Sequence, residues 1–114
     1  MEKSLSDKLR ESVVNIEKYG LEYAKNRAIS WQLQEMRKVI LAEEARKSSG
    51  ASNAESETLA RCTSSYKLHL DGTKQAILAE LTSKAKLERW RAQWESIRSM
   101  MSFEKTQMKV FQEE

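Results

Sequence analysis

The sequence predicts an all-α protein, an antiparallel helical hairpin of two long helices assembled into an oligomeric bundle. Three observations point there. The 114 residues include no proline and only three glycines. Charged residues make up 32 % and are mostly Glu, Lys and Arg, which favour helices. Apolar residues recur at three-four spacing, interrupted by one cluster of small polar residues, Lys47-Ser-Ser-Gly-Ala-Ser-Asn-Ala54. A single domain over 1–114 follows, with helix one at about 4–47, a loop at 48–53 and helix two at about 54–112.

Helix one starts at Ser4 or Ser6, either of which can cap, and Asp7 then places an anion at the positive end of the helix dipole. Leu5, Leu9, Val13, Ile16, Gly20 and Tyr23/Ala24 draw one apolar stripe. Gly20 has two readings, a tolerated glycine costing ~1 kcal/mol against alanine or a point of close approach by a partner helix. Past Ala28 the stripe shifts to Ile29, Leu33, Met36 and Ile40, while Trp31, Val39 and Leu41 point elsewhere. A segment apolar on more than one side needs more than one neighbour.

Gly50 marks the stop of helix one, and Ser52 with Glu55 forms a capping box for the next helix. So short a connection makes the helices antiparallel. In helix two, Leu59, Cys62/Thr63, Tyr66, Leu70, Thr73 and Ile77 form one stripe. Leu87, Trp90, Trp94, Ile97, Met101, Glu104, Met108 and Phe111 form another, at coiled-coil spacing. Asp71-Gly72 and Ser99–Ser102 are candidate breaks, although the periodicity persists through the first and favours a continuous helix.

Unbroken, helix two spans ~90 Å against ~65 Å for helix one, so its end outruns its partner. The C-terminal part therefore folds back as a third helix or meets another subunit, because an unpaired end exposes a large apolar strip. A lone two-helix hairpin comes out near zero in stability, since each ordered residue costs ~1.5 kcal/mol and a buried Leu or Ile returns only ~1.5–3. A homo-oligomer is expected, with Trp31, Trp90, Trp94, Ile97 and Met101 at its interface.

Little in the inventory supports catalysis. His69 is the only histidine and Cys62 the only cysteine, so neither an intramolecular disulfide nor a cysteine-based zinc site can be assembled. There is no glycine-rich phosphate loop and no pair of acids with defined roles. No enzyme activity, cofactor or metal is expected. The N-terminus lacks the apolar run of a signal peptide, and no window approaches the ~20 apolar residues of a membrane span, so a cytoplasmic protein without a membrane partner is expected.

The unusual surface is basic and aromatic. Residues 1–57 carry ten Lys/Arg against ten Asp/Glu, and residues 58–114 carry ten against seven, so the whole net charge of +3 lies in the second half. Lys84, Lys86, Arg89, Arg91 and Arg98 are the candidate nucleic-acid contacts, able to meet phosphates. Trp90 and Trp94 share a face on which bases can stack, but they also continue the stripe of Leu87, Ile97 and Met101, which makes them core.

The stretch Ser65-Tyr-Lys-Leu-His-Leu-Asp-Gly-Thr-Lys-Gln-Ala76, the patch Leu87-Glu-Arg-Trp and the closing Trp94-Glu-Ser-Ile-Arg-Ser99 resemble a group of short helical phage and prophage proteins. Within residues 57–99 the shared features are Tyr-x-x-x-Leu-x-Gly, a Leu/Arg/Trp patch and Trp-x-x-x-Arg-Ser. The resemblance implies a protein encoded among phage recombination and replication genes, handling DNA ends or single strands beside a recombinase. It brings no catalytic residues. The expected function is a non-enzymatic accessory factor contacting DNA through its basic C-terminal helix face. The alternative is an adaptor, chaperone or inhibitor that binds a recombination or host protein through its apolar stripe.

Overall fold

The computed structural model describes residues 3–48, 50 and 52–113, and forms three α-helices with no strand among the described residues. Helix α1 spans Leu5–Lys47, α2 Asn53–Arg61 and α3 Ser64–Glu113. The all-α class and the helical-hairpin character hold. Ser49 and Ala51, within the expected loop, lie outside the described residues.

Each helix start has a visible cause. Ser4 is the cap of α1, its Oγ accepting from the Asp7 amide at 3.1 Å while its carbonyl accepts from Lys8 at 3.0 Å. Ser6 lies inside the helix. Lys3 reaches Glu11 at 2.7 Å, which raises the lysine's pKa through that hydrogen bond, although so exposed a pair adds little stability. Ser52 caps α2, its side chain accepting from the Glu55 amide at 3.2 Å. Just before it, a Cβ on Gly50 would lie 2.6 Å from the Ser56 amide nitrogen, so that approach admits only glycine.

The expected second helix is broken where no break was anticipated. Cys62 ends α2, and Thr63 begins α3 by using one hydroxyl twice, donating to the Ala60 carbonyl at 2.8 Å and accepting from the Tyr66 amide at 3.2 Å. Four successive residues of modest helix propensity, Cys62-Thr-Ser-Ser65, sit at this point. From there α3 runs unbroken through Asp71-Gly72 and through Ser99–Ser102. The fold-back at 99–102 is therefore absent, and the third helix is α2, at the opposite end of the segment. No positive φ occurs at a glycine among the described residues, and a Cβ on Gly72 would meet nothing within 4 Å, so neither strain nor crowding interrupts the helix there.

The chain divides into two compact units, Met1–Tyr23 with Ser83–Glu114, and Ala24–Thr82. In the first, α1 and α3 lie antiparallel. Ser4–Ser6 stand beside Met101 and Met108, Val13 and Ile16 beside Arg91 and Trp94, and Gly20 beside Leu87. Its seam is made by Leu5, Leu9, Ser12, Ile16, Tyr19 and Tyr23 of α1 with Ser83, Leu87, Trp90, Trp94, Ile97 and Met101 of α3, all buried or partly buried. Steps of three and four alternate throughout, the coiled-coil repeat.

Leu87 and Ile97 are the buried apolar anchors of this unit, and Ser12 and Ser83 are as deeply buried. Ser12 donates to the Lys8 carbonyl at 3.0 Å, so its burial leaves no orphaned hydroxyl. The seam therefore steps from Leu9 to Ser12, leaving Val13 49 % exposed instead of inside as the apolar stripe implied. A Cβ on Gly20 would lie 3.9 Å from Leu87 Cδ1, an ordinary contact. That favours the tolerated-glycine reading over a required close approach.

The second unit repeats the spacing with more polar side chains. Asn26, Ser30, Leu33, Ile40 and Glu44 of α1 face Tyr66, His69, Thr73, Ala76 and Glu80 of α3, and α2 contributes the fully buried Ala60. Asn26 Nδ2 donates to the Ala79 carbonyl at 3.3 Å, and His69 Nε2 bonds the Leu33 carbonyl at 2.9 Å. A carbonyl only accepts, so Nε2 carries the hydrogen. The sole histidine thus links two helices. Ile29, Met36, Trp31 and Val39, expected to define apolar faces, are exposed.

Candidate functional site

The basic segment belongs to the first unit, and the seam fixes which of its side chains share an edge. Lys84, Arg91 and Arg98 each follow a seam position, Ser83, Trp90 and Ile97, by one residue, and Lys105 continues their step of seven beyond the last seam residue, Met101. Seven residues advance about 10.5 Å along the axis and nearly complete two turns, so the four form a row. All four are exposed. None forms an ion pair with a described residue.

The neighbouring edge of α1 explains why the row keeps its charge. Following the seam positions Leu5, Ser12 and Tyr19 by one residue are Ser6, Val13 and Gly20, all uncharged. Ser6 shares a cleft with Lys105, and Val13 shares another with Arg91. In a coiled coil such flanking positions often carry opposite charges that pair across the seam. Here α1 supplies none, and the nearby carboxylates, Glu95 and Glu104, come from α3 itself.

Of the five expected contacts, three therefore come together: Lys84, Arg91 and Arg98. Lys86 lies apart from the row, its ammonium 5.6 Å from the Tyr19 ring centroid, with Lys18 at 5.3 Å from the same ring. Arg89, two residues beyond the seam residue Leu87, is exposed on the outer side of α3. Lys105 completes the row and was overlooked, although the step of seven from Arg98 was there to count.

Trp94 and Arg98 form a local pair, the guanidinium carbon 4.8 Å from the ring centroid. Beside them, Val13, Ile16, Arg91, Trp94 and Glu95 enclose an open cleft of about 400 Å³. A second, polar depression involves Glu95, Arg98, Ser99 and Ser102. The basic row thus runs past a cleft with an aromatic wall and aliphatic lining.

The residues expected at an oligomer contact are differently placed. Ile97 is 2 % exposed within the single chain, so it is a core residue and not a surface left for another subunit. Trp90, Trp94 and Met101 are partly buried in the same seam. The reason is the register, because the start of α1 stands beside Met101 and covers α3 up to that residue, whereas Met108 and Phe111 beyond it stay exposed. Trp31 alone of the five is exposed, at 65 %.

Beyond this edge, Cys62 is an exposed free thiol, and no group of three or more His, Cys, Asp or Glu side chains able to hold a metal occurs among the described residues. No helix among them is long and apolar enough to cross a membrane. Comparison with protein-family models, with curated proteins and with solved structures finds no match. The resemblance to phage proteins rests on the motifs in residues 57–99 alone.

Proposed function

We propose that this protein is a non-catalytic, self-associating helical accessory factor of phage-type DNA recombination or replication, which contacts DNA phosphates along Lys84, Arg91, Arg98 and Lys105. The observation that carries the reading is the row of four exposed cations flanked on α1 by Ser6, Val13 and Gly20, with no opposing charge. Unneutralised cations at regular spacing suit a polyanion. The chemistry required is positioning and charge neutralisation, for which no nucleophile or metal is needed.

Salt dependence tests it. If all four cations meet phosphates of duplex DNA, the logarithm of the affinity falls with a slope of about −3.6 against the logarithm of salt, a loss of about 150-fold between 50 and 200 mM. The double variant Arg91→Ala/Arg98→Ala should flatten that slope by about 1.8. Absence of binding at low salt would remove the reading, and a slope unchanged by the double substitution would move the contact off this edge.

A second reading has its own support. In the unit Ala24–Thr82, α3 leaves Leu68, Leu78 and Leu81 exposed, which suits an adaptor or inhibitor that binds a protein partner through apolar contacts. Binding of that kind responds weakly to salt.

A further inference from the structure

The cleft beside the basic row has a chemistry that phosphate contact alone leaves unused. It is walled by Trp94, lined by Val13 and Ile16, and bordered by Arg91 and Glu95. Its volume, about 400 Å³, falls within the range of about 300–1,000 Å³ usual for small-ligand sites. A flat heterocycle fits such a space. Val13 is half exposed and Trp94 only partly buried, so the apolar walls are reachable from solvent.

We infer that this cleft receives an unstacked nucleobase, so that the edge is a single-strand site in which Arg91 and its neighbours hold the backbone while one base enters beside Trp94. The inference rests on the proposed phosphate contact and adds the strand class. Three features join at one place. Arg91 belongs both to the basic row and to the cleft wall, so a phosphate held there leaves its base within reach of the cleft. Trp94 offers an aromatic surface, and base stacking on such side chains is tolerant of sequence. Glu95 on the rim accepts a hydrogen bond from an exocyclic amine, as on cytosine or adenine.

A base within a duplex is stacked and paired, and its backbone cannot be held at Arg91 while it fills the cleft. The cleft therefore favours a flexible single strand. Arg98, 4.8 Å from the Trp94 ring, helps to fix the ring's position and is a positioning residue for the stack.

The test compares a cytosine-only oligonucleotide, an abasic strand of equal length with the same phosphates, and a duplex, each over the same series of salt concentrations. The cytosine strand should bind about 5- to 150-fold more tightly than the abasic strand, the worth of one stacked base. It should also quench tryptophan emission in a Trp31→Phe background, which removes the exposed tryptophan of the other unit. Val13→Phe fills the cleft from a half-exposed position and should erase the preference over the abasic strand while leaving the salt slope unchanged, with circular dichroism confirming an intact fold. Equal affinity for the cytosine and abasic strands would overturn the base site and leave the phosphate row standing. Failure of all three nucleic acids to bind at low salt would overturn both proposals.

Discussion

Replacing Gly72 by alanine distinguishes a continuous α3 from the turn that Asp71-Gly72 suggests in isolation. The helix runs from Ser64 to Glu113 through this point, φ at Gly72 is not positive, and an added methyl would meet nothing within 4 Å. Alanine therefore meets no steric obstacle and gains the helix-interior preference of about 0.8–1.0 kcal/mol over glycine. For a chain of this length that corresponds to a rise in Tm of about 3–6 °C. Urea and thermal unfolding followed by circular dichroism at 222 nm, at matched protein concentration, measure both quantities. Were Gly72 instead a helix end in the left-handed region, alanine would be strained and stability would fall by about 1 kcal/mol or more. A destabilised Gly72→Ala variant would refute the unbroken helix, and the opposite signs make the result decisive.

Leu87→Ala removes one of two buried apolar anchors in the first unit and should cost about 2–5 kcal/mol in urea unfolding. A cost below 1 kcal/mol would deny the seam. Thr63→Ala deletes the hydroxyl that closes α2 and caps α3, with an expected loss of about 1 kcal/mol and reduced helicity near the break; undiminished stability would mean that the cap contributes nothing. Trp31 is the exposed member of the residues expected at a subunit contact, so Trp31→Glu should shift the light-scattering mass of a self-associated sample toward the monomer. A monomeric wild-type protein at micromolar concentration would remove self-association itself.

Helix existence was legible in this sequence, and helix packing only partly so. Ser4 and Ser52 announced their caps because the hydroxyl-before-helix pattern is local. The first seam was misplaced by one residue at Val13, because counting apolar side chains passes over Ser12, which can be buried once its hydroxyl bonds the preceding turn. Ser30 and Ser83, both buried and both passed over by a count of apolar residues, hid the continuing repeat. The break at Thr63 was concealed because Cys62/Thr63 also fitted the apolar stripe, and a local cap prevailed over the periodicity.

The site divides along a similar line. Arg91 and Arg98 were recognisable as neighbours from their step of seven, but Lys86 and Arg89 were grouped with them by proximity in sequence alone. Seam register decides which cations share an edge. Without it, the neutrality of Ser6, Val13 and Gly20 beside the row could not be read. The cleft at Trp94 needed α1 and α3 together, since Val13 and Ile16 are more than seventy positions away along the chain.

The two interhelical hydrogen bonds of the second unit work as alignment pins. A coiled-coil repeat is nearly invariant to sliding by one heptad, and small hydroxyl side chains in a seam discriminate poorly between such offsets. Asn26 to the Ala79 carbonyl and His69 to the Leu33 carbonyl each tie one level of α1 to one level of α3. A displaced alignment would break both bonds at once. Removing the donor at Asn26 or at His69 takes away one of the ties that hold the two helices in this alignment within that unit.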